Sequence, residues 1–128
     1  MVLTLVRGLP GSGKTTTAKR LDCLHVEADM WHERGGVYAF NSEKNRTAHE
    51  WCQSMALNAL GAGLDVCVAN TFTQKWELEP YILMGKKFGA IIHIFKTVGE
   101  WKSIHEVPTE VMKRMRERWE DVEGEILL

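Results

Sequence analysis

The run Gly8-Leu9-Pro10-Gly11-Ser12-Gly13-Lys14-Thr15 fits the pattern G-x-x-x-x-G-K-[ST] at every position. No other feature constrains the fold as strongly, because this pattern works only between a strand and a helix. The flanks meet that condition: Val2–Arg7 is a β-rich run that ends at Gly8, and residues 13–21 read as a helix. Each residue type has a chemical reason. Glycines let backbone N–H groups turn inward around an anion, and the helix that opens after Gly13 points its positive end at the same place. Lys14 sets a cation between β- and γ-phosphates, and the Thr15 hydroxyl is a ligand for Mg²⁺. A chance glycine-rich turn would account for the glycines alone.

ATP and Mg²⁺ are therefore the expected cofactors. Gly8, Pro10, Gly11, Ser12, Gly13, Lys14, Thr15 and Thr16 are the expected nucleotide contacts, with Lys14 catalytic and Thr15 on the metal.

The rest of the chain alternates short apolar runs with helical stretches. Leu24–Ala28 reads as a strand, Met30–Phe40 as a loop containing Gly35-Gly36, and Ser42–Leu60 as a long helix. Ala48, Trp51, Cys52, Met55 and Ala59 recur along it at helical spacing. Asp65–Ala69 is a nearly continuous apolar run, which suits a strand buried on both faces. Gln74–Phe88 reads as mostly helical, with Pro80 marking a start or a kink; Ala90–Phe95 as a strand; and Pro108 as the opening of a last helix to about Asp121. This order predicts an α/β P-loop NTPase fold: a small parallel sheet of about four strands, in the order 2-3-1-4, with helices on both faces. With 128 residues, one domain over 1–128 is expected.

A net charge of −1 excludes whole-surface attraction to nucleic acid, so such a contact would have to be local. Lys113, Arg114, Arg116 and Arg118 cluster, but Glu110, Glu117 and Glu120 balance them, and a solvated helix face is the preferred reading. The three cysteines, Cys23, Cys52 and Cys67, lie far apart in apolar contexts and read as core residues of a cytoplasmic protein. Met1–Val6 is too short for a signal peptide or membrane span.

Two absences narrow the activity. The apolar run Val66–Ala69 ends in Asn70, where a motor ATPase or GTPase carries a metal-binding aspartate, and no N-K-x-D guanine signature occurs. Both point toward small-molecule and polynucleotide kinases. Those enzymes need a carboxylate near the attacking hydroxyl, and Asp29 stands immediately after Leu24–Ala28. Asp29 is read as a general base in preference to a turn cap.

GLPGSGKTT, Glu27-Ala28-Asp29-Met30-Trp31, Ala48-His49-Glu50-Trp51-Cys52 and Ala69-Asn70-Thr71-Phe72-Thr73 occur in this order. From Leu3 to about Glu120 the chain resembles the AAA-type ATP-binding proteins related to phage polynucleotide kinase, a set common in phages and bacteria. The resemblance implies Asp29 as base, Asn70 and Thr71 as contacts of the acceptor or its phosphate, and His32 where an acceptor-binding arginine often stands. It also implies a short lid in which Lys102 is the nearest cation to the family's lid arginine. His49 reads equally as a packing residue or a site residue. Trp31 and Phe72 could stack a base but read better as core, and Trp51, Trp76 and Trp119 read as packing.

The expected activity is transfer of the γ-phosphate of ATP to a hydroxyl on a nucleic acid or nucleotide. A hydroxymethylated base of phage DNA, a small metabolite, or no acceptor at all, as in an ATP-binding regulatory module, remain alternatives. The oligomeric state stays open.

Overall fold

A computed structural model describes residues 1–33, 42–100 and 107–128. The chain runs β1 (Val2–Arg7), α1 (Lys14–Lys19), β2 (Leu24–Val26), α2 (Asp29–His32), a 3₁₀ turn (Ser42–Lys44), α3 (Asn45–Gly61), β3 (Val66–Asn70), α4 (Lys75–Lys87), β4 (Ile91–Lys96), α5 (Thr109–Arg118) and β5 (Ile126–Leu127). The five strands form one parallel sheet in the order β2-β3-β1-β4-β5. This is the α/β P-loop architecture with the expected 2-3-1-4 order, extended by a strand that the sequence did not announce. Ile126 and Leu127 are both exposed, and two residues carry no periodicity to read. They become a strand because β4 offers a free edge: Phe95 pairs with Ile126 and Lys96 with Leu127.

Strand parity divides the core. Leu3 and Leu5 of β1, with Val66 and Val68 of β3, face α3 and α4 and pack with Ala48, Cys52, Ala56, Leu78 and Tyr81. Val6, Cys67 and Ala69 face the other way, onto Ala18 of α1 and the partly buried Leu21, Cys23 and Phe95. All five residues of β3 are buried, as its unbroken apolar run implies. Burial pushes the Cys67 thiol up to about 12, beside Cys23, so it is inert packing.

Three local readings shift. The buried stripe of α3 runs through Ala48, Cys52, Ala56, Ala59 and Leu60, while Met55 is 38% exposed. Small side chains at steps of about four let this helix lie close to the sheet, and that decides the face over bulk hydrophobicity. Pro80 lies inside α4 without ending it. Trp76 at the start of α4 is not packing: it is 66% exposed, and its Nε1 donates to Gln74 Oε1 at 2.8 Å.

Candidate nucleotide and acceptor site

β1 delivers the phosphate loop to the carboxyl edge of the sheet, beside the end of β3. Gly8 N–H donates to the Thr71 carbonyl at 3.3 Å. A Cβ on Gly8 would stand 2.3 Å from both Ser12 Oγ and Thr97 Oγ1, so only glycine fits. Gly13, the residue before α1, has φ 97°, a left-handed conformation that a side chain would oppose. Ser12 is buried; its N–H donates to the Leu9 carbonyl at 3.0 Å, and its hydroxyl shares a 2.6 Å hydrogen bond with Thr97. Its hydroxyl therefore fastens the loop to the chain beyond β4. Thr16, by contrast, is exposed on α1.

Lys14 Nζ donates to the Leu9 carbonyl at 3.2 Å, within the loop. Burial lowers its pKa, while the nearby carboxylates of Glu27 and Asp29 pull it back up. The Thr15 hydroxyl donates to Glu27 Oε1 at 3.1 Å, and the other carboxylate oxygen of Glu27 lies 2.5 Å from His25 Nε2. Glu27 is only 8% exposed.

Asp29 is the first residue of α2 and is half-buried. It does not follow the strand directly, because pairing of β2 stops at Val26 and the chain bends through Glu27 and Ala28. Asn70 fixes that bend. It is buried, its Oδ1 accepts the Ala28 N–H at 2.9 Å, and its Nδ2 lies 3.7 Å from Cys52 Sγ. The structure thus engages Asn70 within the fold, on the backbone of Ala28, the residue before Asp29. Thr71 is half-buried beside it. His32 is buried, with its ring edge-on to Trp31. His49 of α3 is half-buried, and burial lowers its pKa; Glu77 and Asp29 oppose the shift and His32 adds to it. Asp29, His32 and His49 thus come together from two helices. Phe72 is 2% exposed, packed edge-on to Tyr81, and so is core as read; its φ of 46° is the single positive value among the described residues other than glycine.

On the opposite flank of the loop lies a cavity of about 690 Å³. Leu9, Pro10 and Ser12 wall one side, Thr97–Glu100 another, and Met112, Arg116 and Trp119 close it. Trp119 is stacked under Arg7, whose guanidinium carbon is 4.2 Å from the ring centroid. Arg7 is fully buried at the end of β1. It donates to the Phe72 carbonyl at 3.0 and 2.7 Å, to the Glu120 carbonyl at 2.7 Å, and to Glu125 Oε2 at 2.7 Å.

The donor set suits a hard divalent cation held largely by phosphates. Thr15 and Glu27 offer oxygen at one point, yet among the described residues no group of three or more His, Cys, Asp or Glu could hold a metal alone. Lys102, with Trp101 and His105, lies outside the described residues. Glu27, Arg7 and Thr97 are the residues that sequence reading missed. Glu27 had a signal, a carboxylate ending an apolar strand two positions before Asp29; the other two acquire their roles only from partners far along the chain.

The pattern of an AAA-domain family matches residues 3–122, so the chain belongs to that family. It is 30% identical over 136 residues to human NEDD4-binding protein 2, an alignment that takes in 94% of this chain. The chain spans only 8% of the length of that relative. In structure it is similar to Kti12 from Chaetomium thermophilum, solved in complex with ADP-AlF3: the TM-score is 0.66 at 16% identity, covering 98% of this chain and 88% of that one. It is also similar to a gluconokinase from Sinorhizobium meliloti 1021, with a TM-score of 0.63 at 12% identity over 99% of this chain and 81% of that one. At such identities the likeness is one of fold.

Proposed function

We propose that this member of the AAA-domain family is an ATP-dependent kinase that moves the γ-phosphate to a hydroxyl on a nucleic acid or nucleotide. One observation carries the reading. The phosphate loop lies at the middle of the sheet edge, with the cavity of about 690 Å³ on the β4 side and the carboxylate of Asp29 on the β2 side. A nucleotide laid across that edge has its base in the cavity, its phosphates on Gly8–Thr15 and its γ-phosphorus toward Asp29.

Asp29 takes the proton of the attacking hydroxyl as the new O–P bond forms, the bond from the γ-phosphorus to the bridging oxygen breaks, and ADP leaves. Lys14 stabilises the charge that develops between the β- and γ-phosphates. Thr15 would hold Mg²⁺, whose chemistry is to neutralise that charge. Thr71, His32 and His49 line the acceptor side, and Asn70 supports Asp29 through Ala28.

The test is transfer of labelled γ-phosphate to a panel: 5′-hydroxyl DNA and RNA, nucleosides, DNA with hydroxymethylated pyrimidines, and gluconate. Transfer to a member bearing a base, lost on the order of a hundredfold or more in Lys14→Ala, is the expected outcome. Transfer to gluconate alone would move the assignment to a small-metabolite kinase. ATP turnover that no acceptor accelerates would leave a nucleotide-dependent regulatory module.

A further inference from the structure

We infer that Glu27 is the positioning carboxylate for the nucleotide-bound metal, a role that the end of β3 has given up; the inference rests on the ATP·Mg²⁺ reading above. The place beside the phosphate loop where a P-loop enzyme commonly carries a metal-binding acid is the end of β3, the strand hydrogen-bonded to β1. In this chain that position, paired with Arg7, is Asn70, and its amide is spent on Ala28 and Cys52. The carboxylate comes instead from the next strand out.

Strand parity explains how it reaches. In the β2–β3 register His25 pairs with Cys67 and Val26 with Val68. Val68 faces α3 and α4, whereas Cys67 and Ala69 face α1. Glu27, one residue beyond Val26, falls on the α1 side together with His25. That side is where Thr15 stands, in the first turn of α1. The result is the observed chain of contacts from Thr15 Oγ1 to Glu27 and on to His25.

The direction of the first hydrogen bond matters. A hydroxyl has one proton and two lone pairs. By donating to Glu27, Thr15 turns its proton away from the phosphate side and keeps a lone pair for a cation. His25 holds the second carboxylate oxygen and so fixes the rotamer of Glu27. Both oxygens being engaged, Glu27 is no rival to Asp29 as base. Partners behind a metal ligand are commonly worth 10–100-fold in metal affinity.

The experiment is calorimetric binding of a non-hydrolysable ATP analogue with Mg²⁺ and with EDTA, for the wild type, Glu27→Gln and Glu27→Asp, with thermal midpoints recorded alongside. The readout is the factor by which Mg²⁺ tightens binding. Glu27→Gln should reduce that factor by about 10–100-fold, while binding in EDTA is unchanged or tighter, because a negative charge beside the phosphates has gone. Glu27→Asp keeps the charge with the oxygens withdrawn by one methylene, and should need more Mg²⁺ to reach half of its effect. It serves in place of Glu27→Gln if that variant does not fold. A purely structural role for Glu27 would weaken both arms equally and lower the midpoint, and that result overturns the inference. So does a wild-type Mg²⁺ factor in both variants. If Mg²⁺ fails to tighten binding even in the wild type, the ATP·Mg²⁺ reading falls and this inference falls with it.

Discussion

The two flanks of the phosphate loop are built in opposite ways. On the β2–β3 side, the polar side chains stand near strand ends and are fixed by contacts of modest span: Thr15 to Glu27 across 12 residues, and Ala28 to Asn70 across 42. On the β4–β5 side, the wall of the cavity is closed by the last part of the chain folding back on the first. Arg7 reaches Glu120 across 113 residues and Glu125 across 118, and Ser12 meets Thr97 across 85. The difference separates two ways of making a site. Strand ends place carboxylates by the geometry of a sheet, whereas the cavity side depends on one buried cation that draws carbonyls, a carboxylate and an indole around itself. Burying Arg7 is tolerable because its donors are met by the Phe72 and Glu120 carbonyls and by Glu125.

The largest effect that would sharpen this contrast is at Asp29. Asp29→Asn keeps the shape but cannot accept a proton, so transfer should fall by roughly 10²–10⁴, with ATP affinity close to wild type. Single-turnover transfer beside equilibrium binding measures both, and a wild-type rate would remove the base from the β2 flank.

Arg7→Met tests the other flank. It strips the Phe72 and Glu120 carbonyls of their donor and leaves Glu125 without its partner, which should cost about 3–5 kcal/mol in urea unfolding. Analogue affinity should weaken with it, since Trp119 would lose the nearer of the two cations, Arg7 and Lys96, that lie over its ring. Stability within the error of wild type would show that the C-terminal segment is not anchored by Arg7.

A smaller change belongs to Asn70. Asn70→Ala leaves the buried Ala28 N–H unpaired, at a cost of about 1–3 kcal/mol, and loosens the bend that carries Asp29. We expect kcat to drop more than ATP affinity. A change in the acceptor KM alone, with stability kept, would instead put Asn70 on the acceptor itself.

The smallest expected effect is the pH response of His49. Its pKa in the fold is lowered from 6.5 by burial, despite Glu77 and Asp29. Below 6.5 the unfolded chain therefore binds more protons than the folded one, so stability is level above that pH and declines as pH falls through it toward the folded value. His49→Gln should flatten that decline in thermal midpoints between neutral pH and pH 5. An unchanged slope would assign the response to other groups.

How much of this could be read beforehand follows the same divide. The conformation of the glycine-rich loop was legible, because its glycines answer local requirements: left-handed φ at Gly13 and close approach at Gly8. The sheet order followed from alternation, whereas Asp29, expected directly after the second strand, opens α2 beyond Glu27 and Ala28. Glu27 was half-legible, since its position was visible but not the face it takes; that face depends on register with β3. Asn70 was placed at the right strand end, yet it turned inward because Ala28 presents an N–H that needs an acceptor.

The sequence by itself determined the turn of the glycine-rich loop and the parallel α/β fold, since these rest on local conformational preference and on the period of apolar residues. Only the tertiary structure decided the fifth strand, the Arg7 hub, the Thr97 clasp on Ser12 and the pairing of Thr15 with Glu27. Ile126 and Leu127 have no pattern of their own and become a strand by completing the edge of β4. Arg7 in isolation is a cation expected in water, and it is buried because groups from the far end of the chain satisfy its donors together. Such roles arise from contacts between segments distant in the chain, and no window of sequence contains both partners.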